Sequence, residues 1–135
     1  MIPASTINDA FPGIESGVYP KGARVLVQLR TVRTKTSSGL ILPEDTRQFN
    51  KANTQLGKVI MLGPIAYRNR ENGQPWPEGT WVKSGDLVRV PKYGGDRFER
   101  MIPDSEDRAI FAIFHDHEII AQVDPDVFED LDEIL

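Results

Sequence analysis

Alternating hydrophobic and polar residues predict that the ordered part of the chain begins with a β-strand. In residues 24–30, Val25, Val27 and Leu29 share one face, because successive side chains of a strand point to opposite sides. Leu26 falls on the other face, where a half-buried strand carries polar residues. An apolar side chain at that position indicates that a second surface, such as a partner subunit, covers the outer face of this strand.

Five further segments have the composition of short strands and are bounded by glycine, proline, asparagine or aspartate. They are residues 57–63, 87–90, 98–102, 109–114 and 118–123. A tight hairpin turn is predicted with Asn72 and Gly73 at its tip, since both tolerate a positive φ angle. Trp76 and Trp81 follow in a loop where aromatic packing is expected. Many short strands joined by such turns predict an all-β fold, either a small barrel or a sandwich.

The composition fits one small domain and excludes several kinds of chemistry. With 135 residues, 39% of them hydrophobic, the chain is long enough for a single modest core. Cysteine is absent, which excludes disulfides, thiolate zinc sites and cysteine nucleophiles. The sequence has no apolar stretch of membrane-spanning length and no export signal, so we expect a soluble cytoplasmic protein without a membrane partner.

Acidic residues are concentrated at the C-terminus. Residues 124–135 hold six acids and no base, namely Asp124, Asp126, Glu129, Asp130, Asp132 and Glu133. Removing these six from the 20 acids of the chain leaves 14 against 16 bases. Those bases are scattered, whereas a nucleic-acid binder gathers them into a patch or stripe. We interpret 124–135 as a solvated acidic tail, with a short helix as the alternative.

Residues 31–55 form a long polar segment with a single apolar cluster. A connection of this length inside a small domain is usually functional or disordered, so we expect residues 34–53 to be mobile without a partner. The cluster consists of Gly39, Leu40, Ile41 and Leu42, followed by Pro43. It is either a short strand that packs on the core or a docking segment for another protein. Composition alone slightly favours the core.

Few residues carry candidate chemistry. His115 and His117 would share one face of a strand and could hold zinc, but no third ligand is evident. The sequence contains no nucleophile elbow, no phosphate-binding loop and no dinucleotide fingerprint. We therefore predict no enzymatic activity, no cofactor and no metal site. Basic and aromatic residues mix at 67–70 and 92–93, as they do in single-strand binders, which leaves a nucleic-acid-binding barrel open as an alternative.

Taken in order, these features resemble the small co-chaperonins of the GroES family, the lids of chaperonin rings. The matching segments are 24–27, 36–43, 57–64, 72–73, 82–88, 93–95 and 119–123. Each is short, but the ordered set, with Gly-Leu-Ile-Leu in a long polar loop after the first strand, is specific. The resemblance covers about residues 19–123. It leaves an irregular N-terminal arm, 1–18, and the acidic tail, 124–135, as additions, and this extra length suggests a bacteriophage-encoded member.

The resemblance implies a small irregular GroES-like β-barrel that binds a GroEL-type chaperonin through its mobile loop. The docking residues are then Gly39, Leu40, Ile41 and Leu42, which reverses the interpretation of this cluster as core. Asn72 and Gly73 mark the tip of a roof hairpin. A protein of this kind caps a nucleotide-bound chaperonin ring and helps to enclose a client protein while it folds.

The resemblance also implies a cyclic homo-oligomer, which is a heptamer in this family. Pairing between strand edges of neighbouring subunits would form the interface, with Leu26, Ile119, Ile120 and Val123 as its residues. No cofactor, metal, nucleic acid or membrane is implied. On the residues alone, two other classes stay open: a nucleic-acid-binding barrel, and a phage structural protein such as a capsid decoration.

Overall fold

A computed structural model describes residues 10–32, 54–105 and 107–130 of the chain. These residues form six strands and two short 3₁₀ helices. The strands are β1 Arg24–Val32, β2 Leu56–Leu62, β3 Leu87–Arg89, β4 Asp96–Met101, β5 Arg108–His115 and β6 Ala121–Val123, and the 3₁₀ helices are Asp116–Glu118 and Pro125–Asp130. The predicted all-β fold is confirmed.

The six strands form one antiparallel sheet in the order β4-β5-β1-β2-β3-β6. β1 is central, because Val27 pairs with Val59 of β2 on one side and with Ala112 of β5 on the other. β4 and β6 are the outer strands. The guanidinium group of Arg97 on β4 donates hydrogen bonds to the carbonyls of Pro91 (3.1 Å) and Gly94 (2.9 Å), which fastens this outer strand to the loop that follows β3.

The main core lies on the face of β1 that alternation predicts. Val25, Val27 and Leu29 are fully buried there, among residues from β2, β3 and β5. Its other buried members include Val59, Val88, Val90, Ile110, Ala112 and Phe114. Burial of each large aliphatic side chain contributes roughly 1.5–3 kcal/mol, so this cluster is the principal source of stability.

The opposite face of β1 is also buried, and the chain itself covers it. Leu26 is fully buried beside Ala109 and Phe111, with Ile14 and Phe98 packed against this cluster. The expectation that a partner subunit covers Leu26 is therefore corrected. β1 also pairs along both of its edges, so it offers no free edge to a neighbouring subunit.

Part of this cover comes from the N-terminal arm. Ala10 and Phe11 are buried in a cluster with Leu56, Leu87 and Val123. Two hydrogen bonds to carbonyls fix the arm along β1, one from the Thr31 hydroxyl to Ala10 (2.8 Å) and one from the Gln28 amide to Pro12 (2.9 Å). The arm thus runs antiparallel to β1 without joining the sheet. Its first described residue lies next to the C-terminal part of β1.

Two C-terminal elements differ from their predicted form. The last strand begins at Ala121 and not at residue 118, because Asp116–Glu118 form a 3₁₀ turn in which the Asp116 carboxylate accepts the backbone N–H of His117 (2.8 Å). In the tail, Pro125–Asp130 is a 3₁₀ helix. Asp124 starts it, since its carbonyl accepts the N–H of Val127 (3.1 Å) and its carboxylate accepts the N–H of Asp126 (2.9 Å).

Replacing Phe11 with Ala tests whether the arm is part of the folded core. We expect Phe11→Ala to lower the free energy of unfolding by about 3–5 kcal/mol, since the side chain is 4% exposed and leaves a cavity. Urea denaturation measures this loss. Tyr93→Ala is the matched aromatic control, because Tyr93 is 67% exposed and its loss should cost under about 0.5 kcal/mol. Equal stability of the two variants would contradict the packing of the arm.

Candidate functional site

The chain leaves β1 and enters β2 at the same end of this strand pair, and we call it the connection end. Here β1 finishes at Val32 and β2 begins at Leu56. Thr31 and Thr54 are buried on either side of the connection, so both of its stems are anchored in packed structure. The four predicted docking residues, 39–42, lie in this connection, outside the described residues.

The opposite end of the same strand pair, the roof end, carries the roof hairpin. Gly63 donates its N–H to the carbonyl of Arg24 (2.7 Å), and a Cβ on Gly63 would collide with the carbonyl oxygen of Gly22. A glycine is therefore required where the chain leaves β2. Because β1 and β2 are antiparallel, the last residues of β2 lie beside the first residues of β1. The connection and the roof hairpin therefore extend from opposite ends of one rigid strand pair.

The roof hairpin closes where the Asn-Gly motif predicts. Arg68 and Pro75 form a bridge, and the N–H of Asn69 donates to the carbonyl of Gln74 (2.8 Å). Gly73 has a φ of +71°, a left-handed conformation that glycine adopts without steric cost. The predicted tip residues thus occupy an exposed turn at the roof end.

Three aromatic side chains support the base of the roof. The ring centroid of Tyr67 lies 5.3 Å from that of Trp76 and 5.4 Å from that of Trp81, and the two tryptophan rings are 5.4 Å apart. The predicted aromatic packing is confirmed. Asp116 fastens this cluster to the end of β5, because its carboxylate accepts the backbone N–H of Tyr67 (2.9 Å). Tyr67 holds a φ of +61°, which the contact with Asp116 and the surrounding packing maintain.

The two histidines lie close together at the roof end. The rings of His115 and His117 are stacked with centroids 5.6 Å apart, on either side of the buried Asp116. Glu118 accepts the backbone N–H of His115 (2.8 Å), and Asp116 binds backbone groups. Both carboxylates therefore serve the turn, and no group of three metal-ligating side chains occurs in the described part of the chain.

The last strand presents an open edge. β6 pairs with β3 on one side and has no partner strand on the other among the described residues. Of the interface residues predicted here, Ile119 and Val123 are buried within their own subunit, whereas Ile120 is 60% exposed. Beside it lies a groove of about 390 Å³, lined by residues of the roof base and by 119–122. Ile120 is thus the predicted interface side chain that stays accessible.

Two exposed apolar residues of the arm were not predicted as site residues. Val18 is 36% and Tyr19 57% exposed, directly before the turn that leads into β1. In the sequence, they lie in a segment without hydrophobic periodicity, so nothing distinguished them from core residues. The signal that identifies them is exposure, which the sequence alone does not contain.

Comparison with known proteins places this arrangement in one family. The family model described as the chaperonin 10 Kd subunit matches residues 17–123. The chain belongs to this family. It therefore functions as a co-chaperonin, and membership implies a GroEL-type chaperonin partner and self-assembly in general. The two alternative classes, a nucleic-acid-binding barrel and a capsid decoration protein, find no support.

Individual relatives agree with the family model. The co-chaperonin GroES of Thermus thermophilus is 37% identical over 86 residues, which cover 64% of this chain and 77% of that protein. The mitochondrial 10 kDa chaperonin of Arabidopsis thaliana is 33% identical over 109 residues, covering 81% and 96%. The mitochondrial 10 kDa heat shock protein of Saccharomyces cerevisiae is 33% identical over 110 residues, covering 81% and 91%. Within the described residues of this co-chaperonin, no helix is long and apolar enough to cross a membrane.

The buried phenol at the roof base predicts a loss of stability at alkaline pH. Burial, and secondarily the Asp116 carboxylate, raises the pKa of Tyr67 well above its ordinary value of 10.0. In the unfolded chain the phenol ionises near pH 10, whereas the folded state keeps its proton. The free energy of unfolding should therefore fall as the pH rises above about 10.

Tyr67→Phe isolates this contribution. The Tyr67 hydroxyl has no hydrogen-bond partner among the described residues, so the variant should match or exceed wild-type stability at pH 8. Between pH 9 and 11.5 it should lose less stability in urea denaturation than the wild type does. Tyr93→Phe, which changes an exposed phenol, is the control and should follow the wild type. Parallel pH curves for all three proteins would contradict the raised pKa.

Proposed function

We propose that this co-chaperonin caps a nucleotide-bound chaperonin ring and closes a cage in which a client protein folds. The observation that carries the proposal is the placement of the 33–53 connection and the roof hairpin at opposite ends of the β1–β2 pair. A lid needs this separation, because one end of each subunit must reach the chaperonin while the other covers the opening.

We further propose that Gly39, Leu40, Ile41 and Leu42 are the docking anchor. Burial of each aliphatic side chain on the chaperonin would contribute roughly 1.5–3 kcal/mol. Ordering of a free segment would cost about 1–2 kcal/mol for each residue. One segment would thus bind weakly, whereas several segments on one ring bind together with high avidity. Weak single contacts also allow release when the chaperonin changes state.

We propose that the subunits form a cyclic homo-oligomer, with seven subunits as the expectation from the family resemblance. The open edge of β6 and the exposed side chain of Ile120 would meet the neighbouring subunit, with Val18 and Tyr19 as the apolar surface they contact. This contact would cover an unpaired strand edge and three exposed apolar side chains in one step. Ile119 and Val123 would support the interface from within their own subunit, and Leu26 takes no part.

We propose that this co-chaperonin catalyses no reaction and needs no cofactor of its own, in agreement with relatives named co-chaperonin, chaperonin and heat shock protein. It would act in the cytoplasm, which is that of the host if a bacteriophage encodes it. We also propose that the chain divides into an arm of residues 1–18, a barrel of 19–123 and a tail of 124–135.

Replacing Ile41 with Asp tests the docking anchor. We expect Ile41→Asp to abolish ATP-dependent co-sedimentation with a GroEL-type chaperonin, since each subunit would bring a charge into an apolar groove. The melting temperature should stay within about 1–2 °C of the wild type, because a docking residue contributes little to the fold.

Two results would contradict the docking role of Ile41. A variant that is stable and still caps the chaperonin would show that this residue is not an anchor. A variant that loses several kcal/mol of stability would show that residues 40–42 belong to the core. Ser38→Asp is the control, because it introduces the same charge two residues before the triplet and should reduce capping much less.

Replacing Ile120 with Asp tests the proposed ring contact. We expect Ile120→Asp to shift the protein from oligomer to monomer in light scattering at micromolar concentration, since the charge would be buried at every interface. Met101→Asp is the matched control, because Met101 is 64% exposed on the other outer strand, β4. Dissociation by Met101→Asp with an intact Ile120→Asp ring would place the interface on β4 instead.

A further inference from the structure

A group of four exposed basic side chains comes from the turn before β1, the first residue of β1 and the roof hairpin. It consists of Lys21, Arg24, Arg68 and Arg70, and we call it the roof-end cationic patch. Nη1 of Arg70 lies 3.4 Å and Nη1 of Arg24 4.0 Å from the position that a Cβ on Gly22 would occupy. Two guanidinium groups from different parts of the chain therefore converge on one turn.

The four basic side chains of the patch lack an ionic partner among the described residues. None of them forms an ion pair with another of the described residues, whereas Arg108 on β5 pairs with Glu99 (3.8 Å). Arg24 and Arg68 donate hydrogen bonds to backbone carbonyls, Arg24 to that of Lys21 (3.5 Å) and Arg68 to that of Gly73 (2.9 Å). Convergent, exposed and unpaired guanidinium groups are suited to bind an anionic partner.

Three carboxylates near the patch form no ion pair with it. Glu118 binds the backbone N–H of His115, and Asp96 lines a cavity of about 420 Å³ together with Arg24. Glu71 lies beside Arg70 at the exposed hairpin tip. None of these three acids lies within 4.0 Å of a basic nitrogen of the patch, so none of them forms an ion pair with it.

The acidic tail is the complementary surface within the same chain. The family match ends at residue 123, so residues 124–135, with six acids and no base, follow the shared barrel as an addition. Asp124 and Asp126 are exposed and form no ion pair with another described residue. Among the described residues, one subunit thus carries basic side chains without an ion pair and, at Asp124 and Asp126, acidic side chains without one.

We propose that the acidic tail of one subunit binds the roof-end cationic patch of the neighbouring subunit. This inference rests on the proposed ring, in which the open edge of β6 meets Val18 and Tyr19 of the neighbour. The tail begins directly after β6, and the patch begins directly after Tyr19. The six residues of the 3₁₀ helix span about 12 Å and the other six span up to about 20 Å, so the tail can extend roughly 30 Å from the end of β6.

Tethering explains why the tail occupies the patch in preference to other anions. Each exposed charge pair contributes little on its own and is screened by salt. Within a ring, however, the tail is held close to the patch at an effective concentration on the order of millimolar. A free acidic peptide or a nucleic acid has to compete with this tethered segment. The contact is therefore intersubunit, multivalent and dependent on ionic strength.

The experiment uses a protein truncated after Val123 and a fluorescent peptide of residues 124–135. We expect the peptide to bind the truncated protein in 50 mM salt and to bind at least about tenfold more weakly in 300 mM salt. The double variant Arg24→Gln with Arg70→Gln, made in the truncated protein, should bind at least about tenfold more weakly than its parent. A matched control, Lys58→Gln with Arg89→Gln, removes two charges from β2 and β3 and should bind as the parent does.

Two further measurements test whether the tail occupies the patch in the assembled full-length protein. The full-length protein should bind added peptide more weakly than the truncated protein does, because its own tails occupy the patches. Its ring should also stay assembled to lower protein concentration in 50 mM salt than the truncated ring, and this difference should disappear in 500 mM salt.

Several outcomes would overturn the inference. The first is that the Arg24/Arg70 double variant binds the peptide as tightly as its parent does. The second is that a peptide with its six acids changed to amides binds as tightly as the original peptide. The third is that the truncated protein binds a single-stranded oligonucleotide more tightly than the peptide. These assays contain no chaperonin, so their results are independent of whether the protein caps a chaperonin ring. Loss of capping alone would leave the tail contact standing, whereas a monomeric full-length protein would overturn the ring and the intersubunit contact together.

Discussion

The architecture depends on the burial of β1 on both of its faces. One face enters the main core through Val25, Val27 and Leu29, and the other carries Leu26 and Gln28, which are also buried. A strand that pairs along both edges and is covered on both faces cannot shift its register without exposing apolar surface. β1 therefore fixes β2 beside it, and with β2 it fixes the two ends from which the connection and the roof hairpin leave.

Covering the second face of β1 gives the N-terminal arm a structural role that the family match does not describe. The match begins at residue 17, yet Ala10 and Phe11 are buried with Leu56, Leu87 and Val123. The arm also brings a carbonyl to the buried Gln28 amide, which satisfies a polar group that would otherwise be costly to bury. The packed structure of this chain consequently extends beyond the segment that the family model matches.

The sequence predicted those parts of the fold that depend on local rules. Strand alternation located β1, and the Asn72-Gly73 motif located the roof turn, because side-chain period and positive φ are properties of a few adjacent residues. Leu26 was predicted to be covered by a partner subunit, whereas residues of its own chain bury it. Strand alternation shows that a face is buried, but it does not show which segment buries that face. The accessibility of Ile120, and the burial of Ile119 beside it, likewise depend on how a three-residue strand meets β3.

The surfaces with proposed functions are exposed, unlike the buried middle of β1, and this exposure explains why each would act weakly alone. The open edge of β6 spans three residues, and the cationic patch consists of solvated side chains. Neither can contribute more than a few kcal/mol in one subunit, because short edges make few hydrogen bonds and exposed charges are screened. A rigid barrel that repeats such contacts around a ring obtains strength from their number, and each contact stays individually reversible. For the proposed lid, which would bind and release the chaperonin repeatedly, weak contacts on a rigid repeated frame are the physical requirement, and the burial of β1 would supply that frame.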